Sequence, residues 1–130
     1  MMNQRILMCI NPGWAGGWAV LTHQGCVRAE QSPQDVKGIW ECVRSQYELA
    51  HGGFGLPLEV YITRHSDECA IGIYANAASW HTAVVACGIE PLFVDKPDGD
   101  IDEATKLFPD EEPDPFTAAP LLMLNEYRGV

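Results

Sequence analysis

The chain has 130 residues, enough for one domain, and 47% of them are apolar, which excludes a separate cofactor domain and global disorder. No apolar run approaches the roughly 18 residues that cross a membrane. Eight Lys and Arg face eighteen Asp and Glu, and the net charge of −10 is opposite in sign to that of a bare duplex-binding domain.

The opening stretch lacks the long apolar core and cleavage site of a signal peptide, so a cytoplasmic location is expected. Arg5 to Ile10 reads as a buried strand, broken by Asn11-Pro12-Gly13. After Gly16-Gly17, Trp18 to Leu21 reads as a second strand. Cys26 to Glu30, beyond the turn His23-Gln24-Gly25, reads as a third. Ser32 caps and Pro33 opens a helix to Ala50, with Val36, Ile39, Trp40, Val43 and Tyr47 at helical spacing. It should stop near Gly52-Gly53. Leu58 to Thr63 is a fourth strand, rich in β-branched and aromatic residues.

Ser66-Asp67-Glu68 opens a long helix, whose stripe Cys69, Ile73, Asn76, Trp80, Val84 and Cys87 ends at Gly88. Pro91 to Asp95 is a last short strand. Residues 95–114 hold nine acids against Lys96 and Lys106, a net −7 of the total −10. This segment is expected as an exposed, mobile loop with one helical turn at Glu103 to Phe108, pinned to the core by Leu107-Phe108. Residues 117–127 form the closing helix, which Pro120 should delay or kink. The five cysteines (Cys9, Cys26, Cys42, Cys69, Cys87) contain no CxxC pair and read as reduced, mostly buried thiols.

The resulting order, βββαβαβα, is that of the ribonuclease-H-like α/β fold: one domain over residues 1–130, with a mixed sheet and helices on both faces. Arg5–Ile10 is expected at the centre, between Trp18–Leu21 and Leu58–Thr63. Trp40 and Trp80 should pack the two long helices onto the sheet.

The segment MCINPGWAGGWAVL resembles the first motif of the RuvC-type Holliday-junction resolvases, especially their short phage members. In order along the chain, LEVYITRH, the helix with Asn76 and Gly88-Ile89, KLFPD and AAPLLMLNEYRG resemble later segments of that family. The resemblance implies DNA cutting by a dimer, with two divalent ions held by about four carboxylates, because Mg²⁺ needs anionic oxygen ligands. This sequence departs at those positions. The first Asp is replaced by Asn11 and the strand-end Glu by Thr63. Of the closing helix's two acids, the second falls on Ala119. The first falls on Pro115 or, with a shift of one residue, on Asp114.

These departures lead to a RuvC-like pseudonuclease with no assigned catalytic or metal-binding residue and no cofactor, working as a protein-binding or scaffold module. Asn11 and Thr63 are expected side by side on adjacent strand ends, at a metal-free cleft. One alternative is a divergent Mg²⁺-dependent junction endonuclease with a site rebuilt from Asp67, Asp95, Asp98 and Asp114. Another is a protein that holds junction DNA without cutting, through Arg28, Lys37, Arg44 and Arg64. A homodimer stays open; a membrane is not expected.

Binding candidates are Trp14 and Trp18, which read equally as a core plug or a partner contact, with Arg64 and His65 after the fourth strand. The acids Asp98, Asp100, Asp102 and Glu103 are a further candidate, as a contact for a basic partner. Asn11 reads as a turn residue or a retained polar group. Asp114 reads as a helix cap before a metal ligand.

Overall fold

The computed structural model describes residues 4–13, 15–64 and 71–129, and for residues 71–74 the backbone alone. Five strands form one sheet: β1 (Ile6–Asn11), β2 (Gly17–Leu21), β3 (Val27–Gln31), β4 (Leu58–Thr63) and β5 (Leu92–Val94). The spatial order is β3-β2-β1-β4-β5. β1 pairs antiparallel with β2 and parallel with β4, β2 antiparallel with β3, and β4 parallel with β5. The helices are α1 (Val36–Glu48), α2 (Ile71–Ala86), α3 (Ile101–Leu107) and α4 (Ala118–Tyr127). No helix among the described residues is long and apolar enough to cross a membrane.

Strand parity sorts the core into two layers, because successive strand residues point to opposite faces. Ile6, Met8, Ile10, Trp18, Val20, Val60 and Ile62 pack with Ile39 and Val43 of α1 and with Trp80, Ala83 and Val84 of α2. Leu7, Cys9, Ala19 and Tyr61 turn the other way, onto Ala104, Phe108 and the α4 residues Leu121, Met123 and Leu124. This is the mixed sheet with helices on both faces that the element order implies. Trp80 is fully buried, and its indole Nε1 donates to Ser32 Oγ at 3.3 Å.

Several local expectations change. Asp35 caps α1 in place of Ser32, its carboxylate accepting from Gly38 N at 2.7 Å. Trp40 does not pack on the sheet: it is 39% exposed. Ile39 and Val43 take the inward face, and one residue along a helix turns about 100° away from it. The helix continues through a π-helical stretch, Leu49–Phe54, to Gly55, whose φ of 66° ends it.

The acidic segment is more ordered than a loop. Asp100 caps α3 by accepting from Glu103 N at 3.1 Å, Asp102 and Glu103 occupy the positive end of the helix dipole, and Lys106 the negative end. Ala104 and Phe108 anchor it, while Leu107 stays exposed. Negative charge here supports helix formation, so the element order gains one helix. A 3-10 turn at Pro109–Glu111 follows. Pro120 sits in the first turn of α4, where its missing N–H removes no intrahelical bond. Among the described residues Cys9, Cys26, Cys42 and Cys87 are free thiols.

Candidate functional site

β1 and β4 run parallel with Ile10 opposite Ile62, so the next residues, Asn11 and Thr63, end the two strands side by side. Both share the parity of Cys9 and Tyr61, the face covered by α4. Thr63 Oγ1 donates to Asn11 Oδ1 at 2.8 Å, and Thr63 is 1% exposed.

The surrounding backbone is tightly drawn in. A Cβ at Gly16 would overlap the Asn11 carbonyl oxygen, and one at Gly17 would overlap that of Phe116. Only glycine lets the β1–β2 turn and the approach to α4 come this close. Asn76 of α2 accepts from Gly13 N at 2.8 Å and fixes the other side of the turn.

Asp114 and Ala119 complete the set of four positions. The Asp114 carboxylate accepts from Phe116 N at 2.9 Å, Thr117 N at 3.0 Å and Thr117 Oγ1 at 3.1 Å, which holds the turn leading into α4. Ala119 is buried in that helix's first turn. The four positions therefore hold an amide, a hydroxyl, a methyl and one carboxylate, whose Oδ1 takes all three local donors. A pair of divalent ions needs several anionic oxygens free to turn toward the metal. These residues do not fit it. Among the described residues no three His, Cys, Asp or Glu side chains converge as a metal site.

The other candidates are scattered. Trp18 is 3% exposed beneath the Arg28 guanidinium, 5.5 Å from the ring centre, so its ring belongs to the core. Trp14 and His65 lie outside the described residues, as do Asp67 and Cys69. Arg64 reaches Asp95 at 3.6 Å. Asp98, Asp102 and Glu103 are exposed around the start of α3, and Asp100 is engaged as its cap.

The four cations considered for a DNA-facing patch each have an acid beside them: Arg28 with Glu30 at 3.1 Å, Lys37 with Glu41 at 3.8 Å, Arg44 with Glu48 at 3.0 Å, and Arg64 with Asp95. A shallow depression of about 420 Å³ lies beyond β5, lined by Arg64, Val94, Asp95, Lys96, Asp98 and Tyr127.

Sequence reading missed a charged cluster at the other end of the same face. Arg5 Nε lies 2.6 Å from Glu59 Oε2, and an Arg5 terminal nitrogen donates to the Tyr127 carbonyl at 2.8 Å. Tyr61 OH donates to Glu59 Oε1 at 2.8 Å, and the Tyr61 and Tyr127 rings stack at 4.2 Å. Burial and the hydrogen bond to Glu59 push the Tyr61 phenol up to about 12. Burial, with Glu59 nearby, also raises the Cys9 thiol, which rules it out as a ready nucleophile. The alternation of Arg5 and Glu59 with apolar neighbours was visible, but nothing in it linked them to Tyr127. The larger concavity, about 1010 Å³, opens beside this cluster between Arg5, Leu21, His23, Phe108, Glu111 and Arg128.

No family model matches the sequence, and no curated protein matches it. Among solved structures, that of RuvC from Thermus thermophilus covers 95% of this chain and 96% of its own, at a TM-score of 0.51 and 14% identity. T. thermophilus RuvC in complex with a Holliday junction substrate covers 97% of this chain and 80% of its own, at 0.47 and 14%. The chain therefore has the ribonuclease-H-like fold of RuvC.

Proposed function

We propose that this protein is a RuvC-fold pseudonuclease that works by binding, and that what it binds is a protein. The observation that carries the reading is the neutral Thr63–Asn11 hydrogen bond, at the two strand ends where the resemblance to the resolvases calls for carboxylates. Asp114 engages Oδ1 in a turn, Ala119 has no ligand atom, and among the described residues no three His, Cys, Asp or Glu side chains converge in their place. Without these ligands a scissile phosphate has nothing to stabilise its developing charge.

A protein partner is favoured over DNA on electrostatic grounds. The net charge is −10, and Arg28, Lys37, Arg44 and Arg64 each have an acidic neighbour. Phosphate binding draws its affinity from cations free to displace counterions.

The test is incubation of the purified protein with four-way junction DNA in millimolar Mg²⁺ or Mn²⁺, paired with junction-binding titrations across salt. The expected result is cleavage at background and no salt-dependent junction binding. Cleavage that copurifies with the protein and disappears in Asp114→Ala or Asp95→Ala would establish the rebuilt endonuclease instead. Tight, salt-sensitive junction binding without cleavage would establish the DNA-holding reading. A pull-down from the native host, with and without nuclease, then separates a protein partner from one bridged by nucleic acid.

A further inference from the structure

We infer that the open edge of the sheet at β3 takes up an extended segment of another protein as an added strand, with a basic residue of that segment set against Asp110 and Glu111. The inference rests on the proposed protein-binding role and names a surface for it.

β3 and β5 are the two outer strands, and they meet solvent differently. β5 has three residues, follows Pro91 and runs into Lys96-Pro97. Shortness, lysine and proline keep a sheet edge from pairing with another chain. β3 has five residues, contains no lysine or proline, and keeps unbroken register with β2 from Val27 to Gln31. Its hydrogen-bonding parity is fixed from both ends. Thr22 N donates to Cys26 O at 2.9 Å, and Ser32 N donates to Gly16 O at 3.0 Å. Hydrogen-bonded pairs alternate along an antiparallel ladder, so Arg28 and Glu30 also bond inward to β2. Val27, Ala29 and Gln31 therefore direct their N–H and C=O groups outward. Among the described residues nothing pairs with these groups.

An open edge alone accepts any strand. What specifies the occupant is the surface that the edge borders. Leu7, Leu21 and Val27 form one row across β1, β2 and β3, turned toward α3 and α4. The row lines the concavity of about 1010 Å³, whose facing wall is Leu107, Phe108 and the turn Pro109–Glu111. That turn packs against β3. A strand added about 4.8 Å beyond β3 sets one residue next in the row, and side chains two positions away share its face. An apolar side chain there extends the row. Its neighbours on that face run beside Asp110 and Glu111, whose carboxylates have no cation within ion-pair distance among the described residues. Lys or Arg two positions from the apolar residue complements them. Main-chain hydrogen bonds then supply affinity, and the alternate side chains supply selectivity. A second copy of this chain is a poor occupant, because edge-to-edge pairing of two β3 strands would bring like charges together beside a chain of net −10.

The test begins with phage-displayed random peptides of about twelve residues, selected on the immobilised whole chain. Enriched peptides are expected to carry Lys or Arg two positions from an apolar residue and no internal proline. In amide hydrogen exchange, Val27, Ala29 and Gln31 should exchange faster than Arg28 and Glu30 in the free protein. A selected peptide should slow all three by about tenfold or more. Ala29→Pro removes one outward N–H and no bond to β2, and should weaken the peptide about tenfold. Asp110→Lys with Glu111→Lys should weaken it as much and turn selection toward acidic peptides. Circular dichroism melts establish folding, and the lysine pair, on a surface turn, carries the test if Ala29→Pro does not fold. Four results overturn the inference: no enriched sequence, a free protein that already protects Val27, Ala29 and Gln31, a selected peptide that slows other amides instead, or folded variants that bind as wild type does. The pull-down from the native host, repeated with Ala29→Pro, separates this surface from the proposed function. A protein captured equally by both keeps the binding role and removes the β3 edge from it. No protein captured by wild type, with peptides still protecting β3, overturns the proposed role and leaves the edge as a peptide site.

Discussion

At the amino ends of β1 and β4, the face turned toward α4 holds an ion pair, two stacked phenols and a backbone carbonyl, all joined through Arg5 and Glu59. At the carboxyl ends of the same strands, the same face holds an amide and a hydroxyl bonded to one another. One sheet and one helix thus carry a charged cluster and a neutral one, about five residues apart along each strand. The charged cluster ties the last turn of α4 to the sheet, which makes it architectural. The neutral one lies at the two strand ends where the resemblance to the resolvases implies carboxylates.

Four measurements break or sharpen that contrast. The largest expected effect is alkaline unfolding. Burial raises the Cys42 thiol from 9.0 to about 12 and the Tyr61 phenol from 10.0 to about 12, and it also raises Cys87 and Tyr127. The unfolded chain releases the Cys42 and Tyr61 protons near pH 9 to 10, while the folded chain keeps them to about pH 12. Stability is therefore complete below pH 9 and is lost as the pH rises toward 12. Urea midpoints measured from pH 7 to 11 should fall steadily. Tyr61→Phe should reduce that fall while leaving the share of Cys42 and Cys87, which pack on the α1 and α2 side, and Thr63→Val should leave its slope unchanged, because neither Asn11 nor Thr63 titrates.

Next in size is Thr63→Glu. It places a carboxylate at a position 1% exposed and should cost about 3 kcal/mol in urea denaturation. Combined with Asn11→Asp it should still give no junction cleavage, since Ala119 remains apolar. Recovered cleavage would mean that two carboxylates suffice and that the neutral pair alone silences the fold.

Arg5→Ala should cost about 2 kcal/mol, because Glu59 loses its cation and the Tyr127 carbonyl its donor. Asn11→Ala, which removes one neutral hydrogen bond, should cost about 1 kcal/mol. Equal losses at the two ends would erase the energetic difference between them.

The smallest effects belong to the acidic segment. Asp100→Ala removes the α3 cap and should cost about 1 kcal/mol. Neutralising Asp98, Asp102 and Glu103 together should cost at most about 1 kcal/mol, through the two charges lost from the first turn of α3. If these three acids contact a basic partner, the same triple variant should abolish the salt dependence of association with it. Unchanged salt dependence would make them a solvated face.

The sequence by itself determined the strands. β4 occupies Leu58–Thr63 as read, β2 gains one residue at its start, and β1 and β3 are each shifted by one residue from their expected spans. Runs of alternating or continuous apolar residues state their own period, and glycine and proline mark where it stops. The neutral site was legible for the same reason. Asn11 and Thr63 each end a strand, and parallel pairing of those strands makes them neighbours. The sequence was less informative where local signals conflict. Proline and acidic composition in residues 95–114 suggested a loop, yet a capped N-terminus rewards those same acids, and α3 forms. Trp40 shares its helical stretch with Ile39, and composition alone does not say which of the two faces the core.

What only the tertiary structure decided is the far end of the sheet. Arg5 meets the Tyr127 carbonyl across a sequence separation of 122 residues. Asn76 likewise reaches Gly13 across 63 residues. Neither pairing leaves a trace within a window of neighbours, because nothing local constrains a long, flexible arginine or a helix asparagine to one partner. Strand register and helix docking fix those positions first, and the polar groups then pair with whatever the packed backbone brings within reach.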